Sequence, residues 1–406
     1  MTAAQAIARA AARAGVCLPV RVRAWDGSEA GPEGTPVVVL RSPRALRRVL
    51  WRPGELGLAR AYVSGDLDVE GDLAEGLRRG RQAIRGGRAA GPANRAGLAL
   101  TAVLAARRLG AFGPPPAPPA CESRHRGRPH SRARDKAVIA GHYDIPVSFY
   151  QLILDPSMAY SCAYWTRDDP GYGLADAQRD KLGMICRKLG LGEGSRLLDL
   201  GCGWGSLAVY AAGRCRARVT AVTLAAAQGR YARERLARLG LGGLAEVRVQ
   251  DYRDPAGGSY DAIASVEMGE HVGAAGYPAF CAGLRDRLRP GGRVLVQQMS
   301  RGACAPGGGA FIESYVAADM HMRPVGETVS LLEKAGLEVL SVESLRPHYV
   351  RTIRAWLENL ERGFTEAEAI LGPERARSWR LYLAGGALAF EEGRMGVDQI
   401  LAARRS

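Results

Sequence analysis

No Cys-x-x-Cys pair occurs among the eight cysteines (Cys17, Cys121, Cys162, Cys186, Cys202, Cys215, Cys281, Cys304) of this 406-residue chain. Neither a zinc site nor a regular disulfide framework is therefore expected, and a reducing cytoplasm suits the composition. Long apolar runs are also missing. The longest, residues 96–106, covers 11 positions, against about 20 for a helix that crosses a bilayer. Residues 1–15 are Ala-rich, but Arg9 and Arg13 interrupt what would have to be the apolar core of a signal peptide. These absences exclude a membrane span and leave open a chain that lies on a membrane. There is no internal repeat. Acidic residues are the scarcer charge: 56 Lys and Arg stand against 41 Asp and Glu, a net +15. Residues 77–136 hold 14 Lys and Arg against only Glu122 and Asp135, so 14 − 2 = +12 of that excess sits in one segment.

What is present is an ordinary globular composition, 47% hydrophobic and 24% charged, with enough chain for two domains at roughly 150 residues each. Residues 1–76 alternate short apolar runs with turns: a strand-like stretch at 20–25, another at 36–40, and a helical stretch from 43 to 51. They read as a small α+β domain. Residues 77–136, with Gly86-Gly87, Pro114-Pro115-Pro116 and Pro118-Pro119 among arginines, read as a basic linker carrying one short helix around 96–109. From 137 to 406 the apolar runs 196–200, 218–223, 246–249, 260–265 and 293–296 are each followed by helix-like stretches, 225–238 being the clearest. That alternation predicts a mainly parallel sheet with helices on both faces. Residues 352–402 read as helices, with Leu, Trp and Phe at three- and four-residue spacing.

The run Leu197-Leu198-Asp199-Leu200-Gly201-Cys202-Gly203-Trp204-Gly205 is a strand that ends in a glycine turn ahead of a helix. Glycines there let a ligand approach the backbone. The G-x-G-x-G spacing does not meet the dinucleotide fingerprint, and no P-loop lysine follows. With Asp199 at the strand end, the run is similar to the first motif of class I S-adenosylmethionine-dependent methyltransferases. The second strand, 219–224, lacks the acidic residue such enzymes usually place toward the ribose, and Thr223 and Gln228 are the nearest polar candidates. After the third strand, Asp251 is read as an acceptor for the adenine amino group or as a helix cap, and Tyr252 as a cover for the ring.

Taken in order, His142-Tyr143-Asp144, Tyr160-Ser161-Cys162-Ala163-Tyr164-Trp165, the 198–205 loop, Thr223 with Gln228, Asp251-Tyr252-Arg253-Asp254, Glu270-His271-Val272-Gly273 and His348-Tyr349 with Ala355-Trp356 resemble the cyclopropane fatty-acid synthase family, which includes the mycolic acid methyltransferases. The resemblance covers residues 140–400. It implies a class I Rossmann-like methyltransferase domain with helical lipid-binding additions and S-adenosylmethionine as methyl donor. Contacts to that cofactor would come from Tyr160, Ser161, Gly201, Gly203, Thr223 and Gln228. The implied substrate is the cis double bond of an unsaturated phospholipid acyl chain, held dry and in line with the sulfonium methyl because an alkene is a poor nucleophile.

The resemblance further implies a bicarbonate ion acting as base, held by Cys162, Glu270 and Tyr349. Gln297 stands where the family has His, and a neutral amide cannot shuttle a proton. That exchange points to the branch of the family whose product is a 10-methylene chain, later reduced by a partner reductase to the 10-methyl (tuberculostearic-type) acid. Ring closure to a cyclopropane is the alternative. Expected partners are thus the phospholipid at the inner face of the membrane, the reductase and a second copy of the chain through the N-terminal domain, with no metal and no nucleic acid. The competing classes are a methyltransferase acting on a soluble small molecule or RNA and a non-catalytic binding protein. The basic segment suits an anionic lipid surface, where each Lys or Arg contributes about 1 kcal/mol, or is simply a solvated linker.

Overall fold

Runs of Leu, Val and Ile closed by glycines or charged residues become the strands. In the computed structural model, which describes every residue except 14, 16, 87–106, 124–126, 144, 255–256 and 303–306 and the side chains of 84–86 and 140–143, the chain divides into two compact units. One comprises Met1–Glu122, Gly309–Phe311 and Leu371–Leu388; the other comprises Ser123–Gly308, Ile312–Ile370 and Ala389–Ser406.

The first unit holds a four-stranded sheet of β1 (Arg21–Arg23), β2 (Glu29–Ala30), β3 (Val37–Leu40) and β4 (Leu67–Glu70) in the order β2-β1-β3-β4. Helices Arg44–Trp51 and Glu55–Val63 pack on it around Val22, Leu40, Ala45 and Ala61. Arg48 is buried against Asp66 at 2.8 Å and donates to the Ala117 carbonyl at 2.7 Å. Arg60 grips Glu122 with two hydrogen bonds. Within the segment expected as a linker, a helix therefore runs on to Gly86 and residues 111–122 are tied to this unit. Residues 96–106 of the expected short helix lie outside the described residues.

The second unit is built on seven strands: β5 (Arg196–Leu200), β6 (Arg218–Thr223), β7 (Ala245–Val249), β8 (Tyr260–Val266), β9 (Leu288–Ser300), β10 (Leu337–Ser344) and β11 (Gly396–Arg404). Their order is β10-β11-β9-β8-β5-β6-β7. The five strands from β9 to β7 run parallel, and β11 pairs antiparallel with both β9 and β10. Alternate side chains of β5 feed two cores: Leu197 joins Ile185, Ala208 and Leu236 on one face, and Leu198 joins Ile263, Phe280 and Leu332 on the other. The sheet is mainly parallel with helices on both faces, as the βαβ alternation predicts.

One expectation is corrected. Helices Arg346–Arg362, Phe364–Leu371 and Pro373–Glu391 cover most of 352–402, the first beginning ahead of it, but the end of that region is strand β11. An inner strand is buried on both faces and so shows no alternation, and its Leu and Ala residues read equally well as helix.

Candidate active site

β5 sits between β6 and β8, so the chain leaves it toward opposite edges, and a crevice opens at the carboxyl ends of these strands. The loop after β5 is pinned there because the N–H groups of Gly201 and Cys202 both donate to the Val222 carbonyl at 2.9 Å. Gly201 has φ +82°, and a Cβ on it would stand 2.8 Å from Met268 Cγ. Gly203 has φ +52° and open space where its Cβ would be. Gly201, Gly203, Thr223, Gln228, Asp251 and Tyr252 line one cleft. The Thr223 hydroxyl accepts from the Ala225 N–H (3.2 Å) and donates to Gln228 Oε1 (3.0 Å), which leaves the Gln228 amide nitrogen as the donor. Asp251 caps no helix: the chain turns there, and both its oxygens accept from Arg253 (2.6–2.9 Å). Burial opposes the charge on Asp251, but the Arg253 hydrogen bonds prevail and hold its carboxyl below the usual value.

Asp199 is buried beside this cleft. Burial raises its carboxyl to about 7, against the pull of Lys181, and its Oδ2 has no hydrogen-bond partner among the described residues. The orphaned acceptor, the glycine cradle and the amide donor of Gln228 fit the charged amino-acid end and the hydroxyls of S-adenosylmethionine. The segment before the sheet is fixed from below. Gln178 donates to the carbonyls of Ala159 (3.2 Å) and Ser161 (2.9 Å), and Lys181 Nζ donates to Ser161 Oγ (2.8 Å). The Tyr160 ring packs on Tyr150 and Trp356, with centroids 5.7 and 5.2 Å away.

Three of the four residues singled out for catalysis converge on a fifth that the sequence reading passed over. Glu267 follows the last residue of β8, has φ +52° and lines the cofactor cleft with Met268. Its Oε1 accepts from the Cys162 N–H (2.7 Å) and Gln297 Nε2 (2.8 Å), and its Oε2 accepts from the Tyr349 hydroxyl (2.6 Å). Gln399 Nε2 donates to Gln297 Oε1 (2.8 Å), and Lys188 donates to Gln399 (2.8 Å), so the Gln297 amide can only present its NH2 to Glu267. Register sets this up, since Gln297 lies opposite Val266 on one side and Gln399 on the other.

Glu270, in a 3-10 turn over Gly269–His271, is fully buried and both its oxygens lack partners among the described residues. Burial first, and the neighbouring Glu267 second, push its carboxyl up to about 8. Burial also raises Glu267, but three donors and Lys181 oppose the rise. Of the two carboxyls, Glu267 is the one three donors equip to hold a negative charge, and Glu270, at about 8, keeps its proton at neutral pH. Burial pushes the Cys162 thiol well above its ordinary range. Its Sγ contacts the carbonyls of Ala163 (3.3 Å) and Leu345 (3.7 Å), so the backbone N–H of Cys162, not its thiol, meets the carboxylate. The side chains of His142 and Tyr143 lie outside the described residues. Glu267 was visible in sequence as an acidic residue directly after a strand end; Lys181 and Gln399 carried no such signal.

A family model described as mycolic acid cyclopropane synthetase matches residues 130–400, about two thirds of the chain. The chain belongs to that family. Among relatives of the synthetase family, a probable fatty acid methyltransferase of Mycobacterium tuberculosis is 36% identical over 395 residues, 95% of this chain and 91% of that protein. Tuberculostearic acid methyltransferase UfaA1 of the same organism is 32% identical over 398 residues, covering 94% and 87%. Cyclopropane synthase MmaA2 from M. tuberculosis superposes with a TM-score of 0.63 at 27% identity, over 66% of this chain and 98% of that one. Mycolic acid cyclopropane synthase CmaA1, solved with SAH and CTAB, gives 0.63 at 28% identity, over 68% and 99%. The chain is thus an S-adenosylmethionine-dependent enzyme of the fatty-acid methyltransferase and cyclopropane synthase class.

Proposed function

We propose that this enzyme transfers the methyl group of S-adenosylmethionine to the cis double bond of an unsaturated phospholipid acyl chain, such as an oleoyl chain, and leaves a methylene branch that a partner reductase converts to a 10-methyl chain. The observation that carries the reading is Gln297: a neutral amide, locked in orientation by Gln399, stands at the deprotonation site where the family resemblance implies an ionisable His. The name of the relative UfaA1 supports the same branch. Ring closure to a cyclopropane is the second reading, supported by the names of the structural neighbours.

When bound, the cofactor supplies an electrophilic methyl group. Gly201, Gly203, Asp199, Thr223 and Gln228 are the residues that would hold it, with Asp251 and Tyr252 toward the adenine and Tyr160 and Ser161 contributing from the segment before the sheet. The chain's own contribution is enclosure. Tyr349 stacks against Phe390 (4.6 Å between centroids) and stands edge-on to Trp356 (6.0 Å), and Trp356 meets Tyr160. These ring faces stabilise positive charge on the substrate without offering a nucleophile and keep water from trapping it. Glu267 and the protonated Glu270 leave the site with one negative charge to receive a proton.

With that substrate, the proposed place of work is the cytoplasmic face of the membrane. In the first unit Trp51 and Phe112 are 57% and 61% exposed, and the Arg107 guanidinium lies 5.4 Å from the Phe112 ring. Exposed aromatics beside arginine suit the boundary of an anionic bilayer. The functional reading is tested by release of S-adenosylhomocysteine from purified enzyme given matched phospholipid vesicles. Release with dioleoyl lipid and none with the saturated distearoyl lipid is expected; equal release with both, or release on soluble acceptors alone, overturns it.

A further inference from the structure

We propose that the Glu267 carboxylate is the resident base of this site: it fills the seat formed by the Cys162 N–H, Gln297 and Tyr349 and takes the proton lost from the methylated acyl chain, so that no captured bicarbonate is needed. The proposal rests on the functional reading above for the identity of the substrate.

Three donors from three separate elements aim at one side chain: the segment before the sheet, strand β9 and helix Arg346–Arg362. A fourth residue on β11 fixes which end of the Gln297 amide faces it. Such convergence is an anion seat, and the anion in it is covalently part of the chain. The position is also costly. A side chain held at φ +52° with its carboxylate buried is strained by roughly 1–2 kcal/mol in backbone terms alone, and glycine would be free of that strain. Nothing in the packing of β8 needs an acid there, because the strand's apolar residues end before it. Glu267 lines the cleft that holds Gly201 and Gly203, so its carboxylate borders the place where the methyl is delivered. Neither Glu270 nor the Cys162 thiol competes for the role: no side chain donates to Glu270 to hold it ionised, and the thiol is turned to two carbonyls.

The step balances as follows. The π pair of the alkene forms the new C–C bond to the methyl while the S–C bond breaks and its pair stays on sulfur. A 1,2-hydride shift moves the positive charge to the methyl-bearing carbon. Glu267 then accepts a proton from that methyl, and the C–H pair becomes the C=CH2 double bond of the branch; the carboxyl returns its proton to solvent on product release.

The test uses the full-length wild-type enzyme, Glu267→Gln and Glu267→Gly, the last a residue suited to this φ. Turnover on dioleoyl phospholipid is measured in CO2-depleted buffer with and without added bicarbonate or acetate, and binding of 13C-bicarbonate is read by NMR. Wild type is expected to turn over equally with and without bicarbonate and to bind none of the label. Glu267→Gln should lose at least about 100-fold in turnover at saturating S-adenosylmethionine, the lower range for a general base. Glu267→Gly should bind bicarbonate and regain turnover in proportion to added bicarbonate or acetate. A bicarbonate requirement in the wild type, label binding by wild type equal to that of Glu267→Gly, or full turnover by Glu267→Gln overturns the proposal. If wild type alters no lipid, the functional reading fails, while the labelled-anion comparison still decides whether Glu267 fills the seat.

Discussion

At the residue scale the site is governed by which of two buried carboxyls keeps the charge. Glu270 titrates at about 8 instead of the ordinary 4.5. A raised carboxyl pKa in the folded state means that its contribution to stability is full below the unfolded value and is lost as pH rises through about 8. Wild type should therefore lose thermal stability between pH 6 and pH 9, and Glu270→Gln should lose distinctly less over the same range; parallel losses in calorimetry would contradict this assignment. Asp199, raised to about 7, acts with the same sign in both proteins and cancels in the comparison. Tyr349→Phe removes one donor from an ionised acceptor, worth about 1.5–3 kcal/mol, or roughly 10- to 100-fold in turnover. Because the ionised base is the active form, activity falls as pH drops through the Glu267 pKa. The variant should move that acid limb to higher pH, and an unmoved limb would count against Glu267 as the acceptor.

At the element scale, helix Arg346–Arg362 does more than cover the sheet. Thr352 on it is buried, accepts from the Ala163 N–H and the Trp165 indole, both at 3.1 Å, and donates to the His348 carbonyl at 2.7 Å. His348 Nδ1 accepts from the Trp165 N–H at 3.0 Å. The helix thereby holds the 160–165 segment against the cofactor cleft. Thr352→Val leaves the buried Ala163 N–H unsatisfied, at about 1–3 kcal/mol, and the half-buried Trp165 indole without its acceptor. S-adenosylmethionine affinity by calorimetry should fall about tenfold or more, with Thr352→Ser close to wild type; unchanged affinity in the Val variant would show that the clamp is idle.

Much of this was legible in sequence, for identifiable reasons. Strands β5, β6 and β8 are apolar runs with sharp glycine or polar ends, so their limits and the loop at 201–205 could be read directly. β11 could not, because an inner antiparallel strand buried on both faces has no period of its own and takes its identity from pairing with β9. Cys162, Gln297 and Tyr349 could be listed by family likeness, but only the fold shows that the Cys162 N–H, the Gln297 amide and the Tyr349 hydroxyl meet at Glu267, with the register of β8, β9 and β11 placing Gln297. The charge on Lys181 and its reach to Ser161 are products of folding with no local signature.

At the scale of the whole molecule, the proposed substrate is a lipid, and the first unit carries the exposed aromatics Trp51 and Phe112, the latter beside Arg107, as the proposed contact. Replacing Trp51 and Phe112 by Asp removes apolar contact worth about 1.5–3 kcal/mol per ring on full burial. Co-sedimentation with anionic vesicles should weaken about tenfold or more, while cofactor binding stays intact. Wild-type binding should itself decline with salt as the arginine term is screened; salt-independent binding unaffected by the double substitution would refute the contact. The central claim is narrower, that a sulfonium methyl reaches an acyl double bond and a buried carboxylate then removes a proton from it. Proton NMR of the lipid recovered after incubation of purified enzyme with dioleoyl phospholipid and S-adenosylmethionine tests it most directly. Vinylidene (C=CH2) protons on a branched chain are the predicted result, and cyclopropane ring protons alone, or an unaltered oleoyl chain, would contradict the account.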